Sequence, residues 1–209
     1  RLDTELGRGG SDGASAGRWS DVALRVERLR AGGALSAAVA AEAASRLEEA
    51  VVARLPDGPL GGLPQAWRRL VAAHRARGGA AGSGAGLAAL AAAVGRALRG
   101  HLEAETARLR HDSLPSTSLE EFGQALAGLA ERGWWCPEAE QPNPAVEEGF
   151  AKAMRGQIQA ARTARLAVLV EASAATGFPS LGGGPLRAAL CAEFAARGPR
   201  LSLQEAVDS

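Results

Sequence analysis

From Leu35 onward the apolar residues of this chain fall four apart: Leu35, Val39, Ala43, Leu47, Val51 and Leu55. The same step returns as Val146, Phe150, Met154 and Ile158, and it resumes at Leu166 and Val170. A four-residue step belongs to a helix, because a strand alternates every second residue. Each step overshoots a full turn by about 40°, so the stripe winds around the helix and needs more than one neighbour to cover it. No alternating Val/Ile/Thr run joined by a hairpin turn competes with this pattern. The expectation is an all-α fold, an elongated helical bundle or coiled-coil-like rod of about six to eight helices.

What fills such helices is thin. Hydrophobic residues make up 46% of the 209, but about half of these are alanine. Leu, Ile, Val and Phe together reach only about a fifth, a level at which disorder competes with folding. Disorder also favours a high net charge, and here the formal charge is +1. Helices packed closely through alanine, with Leu and Val as the main contacts, reconcile these facts. Lys152 is the single lysine and tyrosine is absent, as expected of a GC-rich coding sequence. Acidic and basic residues are interleaved, so no basic face is offered to nucleic acid.

Glycine and proline punctuate the chain. Residues 1–17, with five glycines, read as a flexible lead-in. A short helix fits Ser20 to Ala31, followed by a longer one to Leu55. Pro56-Asp57-Gly58-Pro59 stops it, and Pro64 suits the first turn of the next, whose face carries Trp67, Leu70, Val71 and His74. Residues 78–86 form a linker, and Leu87 to Arg110 resumes as a long helix. Ser118-Leu119-Glu120-Glu121 has the form of a capping box, and Gly133 that of a C-terminal cap. Asn143-Pro144 opens a helix expected to run unbroken to Thr176, about 50 Å at helical rise. Gly182-Gly183-Gly184 reads as a hinge before a helix carrying Leu186, Leu190 and Phe194, stopped by Gly198-Pro199. Ser202 and Glu205 form a second capping pattern. The domain reading is a lead-in, a helical region over 18–112 and a second over 113–209, with Leu114-Pro115 as the seam. The uncharged stretch Ala80 to Gly95 is too short and too rich in Gly and Ala to span a bilayer. A start at Arg1 and an end inside a helical pattern suggest a piece of a larger polypeptide.

The reactive side chains do not assemble. His101 and Glu105 stand one turn apart, but a metal site needs three or four ligands, and Glu103, His111 and Asp112 point elsewhere. The pair reads as an exposed histidine with a weak carboxylate contact. His74 ends an apolar face and reads as a core histidine. Cys136 follows two tryptophans with no histidine near in sequence to generate thiolate. Cys191 shares a helix with Leu190 and Phe194 and reads as a small hydrophobic residue. Without redox or metal spacing, the two cysteines suit a reduced, intracellular setting, a single disulfide being the alternative. Gly82-Ser83-Gly84-Ala85-Gly86 lacks the strand and the Gly-Lys-Ser/Thr element of a phosphate loop. The neighbours Glu48-Glu49, Glu120-Glu121 and Glu147-Glu148 lie about 100° apart on a helix, so they read as solvated charge or capping groups. No catalytic, cofactor-binding or metal-binding residue is assigned.

Trp134 and Trp135 remain. Two large aromatics between a cap glycine and Cys136-Pro137 either plug a junction between helices or anchor a partner, since tryptophan is enriched at interface hot spots.

In the stretch Leu119 to Arg165, with Phe122, Gly133-Trp134-Trp135-Cys136-Pro137, Phe150 and Gln157, the chain resembles the helical central part of the alphaherpesvirus large tegument protein. The resemblance covers less than a quarter of the chain. It implies a segment of a very long helical protein that bridges capsid and outer tegument and binds other viral proteins, in the virion tegument and the host cytoplasm or nucleus. That family also carries a cysteine deubiquitinase domain, and nothing here matches its catalytic pattern. The function expected is therefore a non-enzymatic scaffolding segment making protein–protein contacts, self-association among them. The alternative is a regulatory helical-bundle domain from a GC-rich bacterium that docks a peptide or helix.

Overall fold

A computed structural model describes residues 25–26, 28–34, 36–78, 84–109, 118–178 and 184–197. The expected lead-in, the Leu114-Pro115 seam, His111, Asp112, Gly182-Gly183 and the Ser202/Glu205 pattern lie outside these residues. The described residues contain helices and no strand, so the fold is all-α. They divide into two compact units, the first drawn from 1–53 and 68–87, the second from 54–67 and 88–209. This division differs from the expected one: residues 88–109 belong with the C-terminal helices.

The first unit is held by α1 (Ala37–Arg54) and the later turns of α2 (Leu63–Ala76). Its core is Val26, Ala40, Ala44, Leu47, Ala72, Ala73 and Ala76, with Ala43 and Val51 packed at its margin. The winding stripe of α1 predicts Val39 inside, yet Val39 is 48% exposed and its neighbour Ala40 is fully buried. Ala40 and Ala44 share one cluster with Ala72, Ala73 and Ala76, and close packing of small side chains is the contact this composition offers. Five alanines make this a shallow core.

The second unit collects the bulky side chains. Its helices are α3 (Gly84–Leu109, of which the first four residues belong to the first unit), α4 (Leu119–Glu131), α5 (Pro144–Ala160), α6 (Thr163–Thr176) and α7 (Pro185–Arg197). Helix α4 packs on α6 and on the short 3-10 turn Leu60–Gly62, and α7 packs on α5 and α6. Phe122 of α4 lies 5.1 Å from Phe150 of α5 and 6.4 Å from Phe178, ring centre to ring centre. Leu126 and Leu129 of α4 and Met154 of α5 are fully buried as well.

Local signals set most helix ends. Ser118 and Glu121 form the capping box, with Glu121 N–H donating to Ser118 Oγ at 3.0 Å and Ser118 N–H to Glu121 Oε2 at 3.1 Å. Asn143 Oδ1 accepts from Ala145 N–H at 2.7 Å, with Pro144 in the first turn of α5. At the end of α4, Gly133 takes a left-handed φ of 67°. Gly133 and Trp134 then return their N–H groups to Ala130 and Leu129, at 2.9 and 3.0 Å.

One helix departs from expectation. The run from Pro144 to Thr176 is not continuous: Ala161 and Arg162 are extended, with ψ of 150° and 147°, and separate α5 from α6. No glycine or proline marks the break. The physical reason lies in the stripe, because the step after Ile158 is Arg162, a charge that an unbroken helix would carry on its buried side. The break leaves Arg162 exposed and turns Thr163, Leu166 and Leu169 inward. Arg197 at the end of α7 caps the interrupted helix, donating to Ile158 O at 2.9 Å, to Gln159 O at 2.8 Å and to Ala161 O. In place of a rod of about 50 Å stand two helices of about 25 and 21 Å.

Candidate partner-binding surface

The cap at Gly133 decides where the tryptophans go, since it ends α4 and sends successive side chains to opposite sides. Trp134 enters the core at 1% exposure, with its ring 6.3 Å from Phe178 and its indole N–H donating to Ala91 O at 3.2 Å. It is a structural plug. Trp135 points outward, 39% exposed, and its ring stands edge-on to Trp67 at 6.0 Å and 89°. Trp67 is itself buried and donates its indole N–H to Arg132 O at 3.0 Å. Of the two expected anchors, only Trp135 presents surface, braced by a fixed neighbour.

The loop after them is pinned on several sides. Cys136 N–H donates to Thr176 O at 2.7 Å, and Gln141 Nε2 to Gly177 O at 3.4 Å. Glu140, buried in the turn Glu138–Glu140, pairs with Arg96 at 2.9 Å and Arg99 at 3.3 Å. Gly95 permits this approach, because a Cβ there would lie 2.9 Å from Glu140 Cβ. Cys136 is 7% exposed, and its thiol lies 3.5 Å from Pro137 O. Burial, reinforced by Glu140 and opposed by Arg99, pushes that thiol up to about 12. It stays protonated near neutral pH, which makes it a poor nucleophile. Cys191 is exposed, not turned into the core as its place beside Leu190 suggests. Both cysteines are free thiols.

The remaining candidates stay dispersed. Among the described residues, no group of three His, Cys, Asp or Glu side chains is placed to hold a metal ion. His74 is buried, as its apolar face implies, and His101 is partly exposed. Glu105 is buried, not solvated beside His101. Glu48 and Glu147 are buried as well, which corrects their reading as solvated charge, whereas Glu49 and Glu148 face outward.

A surface absent from the sequence reading appears where α5 breaks. Small residues Ala160, Ala161 and Ala164 and, from α4, Gly123 line an open, apolar cleft of about 430 Å³. Leu119 and Leu169 also line it, and Val168, 48% exposed, stands at its side. Glu120 and Arg165 pair across it, and Gln157 Oε1 accepts from Leu119 N–H at 2.7 Å. The usable signal was the missing apolar step at Arg162, flanked by alanines.

Compared with known proteins, the chain matches no protein-family model, no curated protein and no solved structure.

Proposed function

We propose that this chain is a non-enzymatic scaffolding segment that holds other proteins through its helical surfaces. The observation that carries the reading is the cleft at the α5–α6 break, apolar and open, lined by buried Leu119, Gly123 and Leu169 and by exposed Ala160, Ala164 and Val168. Small residues in the lining leave space for large ones from outside, so the fitting partner is an amphipathic helix that inserts a bulky apolar side chain. The paired Glu120 and Arg165 carry no net charge between them, and polar groups on the partner meet them at the rim. The burial and protonation of Cys136 support a role without thiol chemistry.

The tegument-type reading is part of this proposal. A piece of a larger viral polypeptide that contacts tegument or capsid proteins, in the virion and the infected cell, accords with the alanine- and arginine-rich composition. Trp135 favours a second docking surface, at which a partner packs on the exposed indole.

Comparing Val168→Glu and Trp135→Ala with the wild type in partner capture, from the cells that make the chain, tests the reading. Val168→Glu is expected to weaken capture by tenfold or more, about 1.4 kcal/mol, with helical circular dichroism unchanged. Equal capture by all three proteins refutes both surfaces.

A further inference from the structure

The alanine core of the first unit contains a group of charged side chains that the docking surfaces do not use. Glu48 of α1 is buried at 7% exposure. Its Oε2 lies 2.9 Å from Arg77 Nη1, just beyond α2, and its Oε1 is buried with no hydrogen bond. Arg77 reaches in on a side chain that is itself 41% exposed. His74 of α2 is buried nearby, against Gly86 at the start of α3, where a Cβ would lie 2.9 Å from the imidazole Cε1. Arg30 lies at the edge, donating to Arg75 O.

The charged groups acting on Glu48 can be named for each element. Arg77 and His74 favour its ionised form from the α2 side, and Glu49, the next residue on α1, opposes it. Residues 84–87 at the start of α3 carry no charge. Burial outweighs the rest and raises the carboxyl above the usual 4.5. One half-exposed arginine does not compensate a carboxylate whose second oxygen has lost its water.

We infer that Glu48 is a proton-sensitive latch: proton uptake by its carboxyl tightens the packing of α1 on α2, and proton release loosens it. The sign follows from linkage. Because the folded unit holds this proton more tightly than the unfolded chain does, the contribution is complete below 4.5 and is lost as pH rises through the folded value. This is opposite to the usual behaviour of a salt-bridged carboxylate, which stabilises by staying ionised. The effect is large relative to the first unit because its alanine core buries little apolar surface to resist it.

Hydrogen exchange of α1 amides in the whole chain, corrected for intrinsic rates, tests this between pH 4 and 8, with α4 amides as the internal control. Wild-type α1 should gain protection on acidification, up to about tenfold for each unit by which the folded value exceeds the unfolded one. Glu48→Gln, which fixes the neutral form, should keep α1 at least as protected as the wild type at pH 8 and flatten the dependence. Arg77→Gln removes the main charge favouring ionisation and should move the wild-type midpoint to higher pH. Should Glu48→Gln fail to fold, the direction of that shift decides. A Glu48→Gln protein less protected than the wild type at pH 8, an identical pH profile in both, or an unmoved or lowered midpoint in Arg77→Gln would overturn the latch.

Discussion

Replacing each tryptophan of the Trp134-Trp135 pair in turn separates core from surface. Trp134→Ala empties a site at 1% exposure between Phe178 and the backbone of α3. Large-to-small changes of this kind cost about 3–5 kcal/mol, the transfer term plus the cavity left behind. Loss of the indole hydrogen bond to Ala91 O adds little, since that carbonyl lies within α3 and retains the helical ladder. A domain stable by about 5–15 kcal/mol loses a large share of its stability. At about 4 °C per kcal/mol for a unit of this size, Tm falls by some 12–20 °C. Trp135→Ala is different. It forfeits the edge-on contact with Trp67, about 0.5–1.5 kcal/mol, and the burial of part of one ring, so the total is about 1–2 kcal/mol. Urea denaturation of both proteins, followed by circular dichroism at 222 nm, measures the difference. The reasoning fails if Trp134→Ala costs less than Trp135→Ala, or if Trp134→Ala costs under about 1 kcal/mol, because either result places Trp134 outside a packed core.

Other outcomes follow from the same geometry. N-ethylmaleimide at pH 7.5, read by mass spectrometry under native conditions, should label exposed Cys191 and spare Cys136, whose thiol is pushed up to about 12; equal labelling rates would contradict its burial. Two glycines of α5 should respond differently to alanine. At Gly149 a Cβ would lie 2.5 Å from Thr106 Cγ2, so Gly149→Ala costs about 1–3 kcal/mol of overpacking, offset by about 1 kcal/mol of helix propensity. Gly156 meets nothing within 4 Å, so Gly156→Ala should stabilise by about 0.5–1 kcal/mol in the same denaturation assay. Arg197→Met removes the donors to Ile158, Gln159 and Ala161, and should cost about 1–3 kcal/mol and speed amide exchange at the start of α6.

Information that acts within a few residues was legible in the sequence. The capping box at Ser118, the Asn143-Pro144 start, the left-handed Gly133 and the helical period all follow from groups at most five positions apart, and each stands where the residues place it. The buried face of Trp67, Leu70 and His74 was readable for the same reason. Tertiary structure decided the choices that depend on a distant neighbour. Val39 and Ala40 are equally helical, and which one turns inward is set by the alanines of α2, about thirty residues on. Nothing local distinguishes Trp134 from Trp135 until Phe178 and Ala91 supply a site for one of them. The break at Ala161-Arg162 is stabilised by Arg197, more than thirty residues away, and residues on both sides of that break line the cleft. Backbone hydrogen bonds and caps are short-range and saturate locally, whereas burial depends on which surfaces meet, and in this chain the alternatives differ by a single register step.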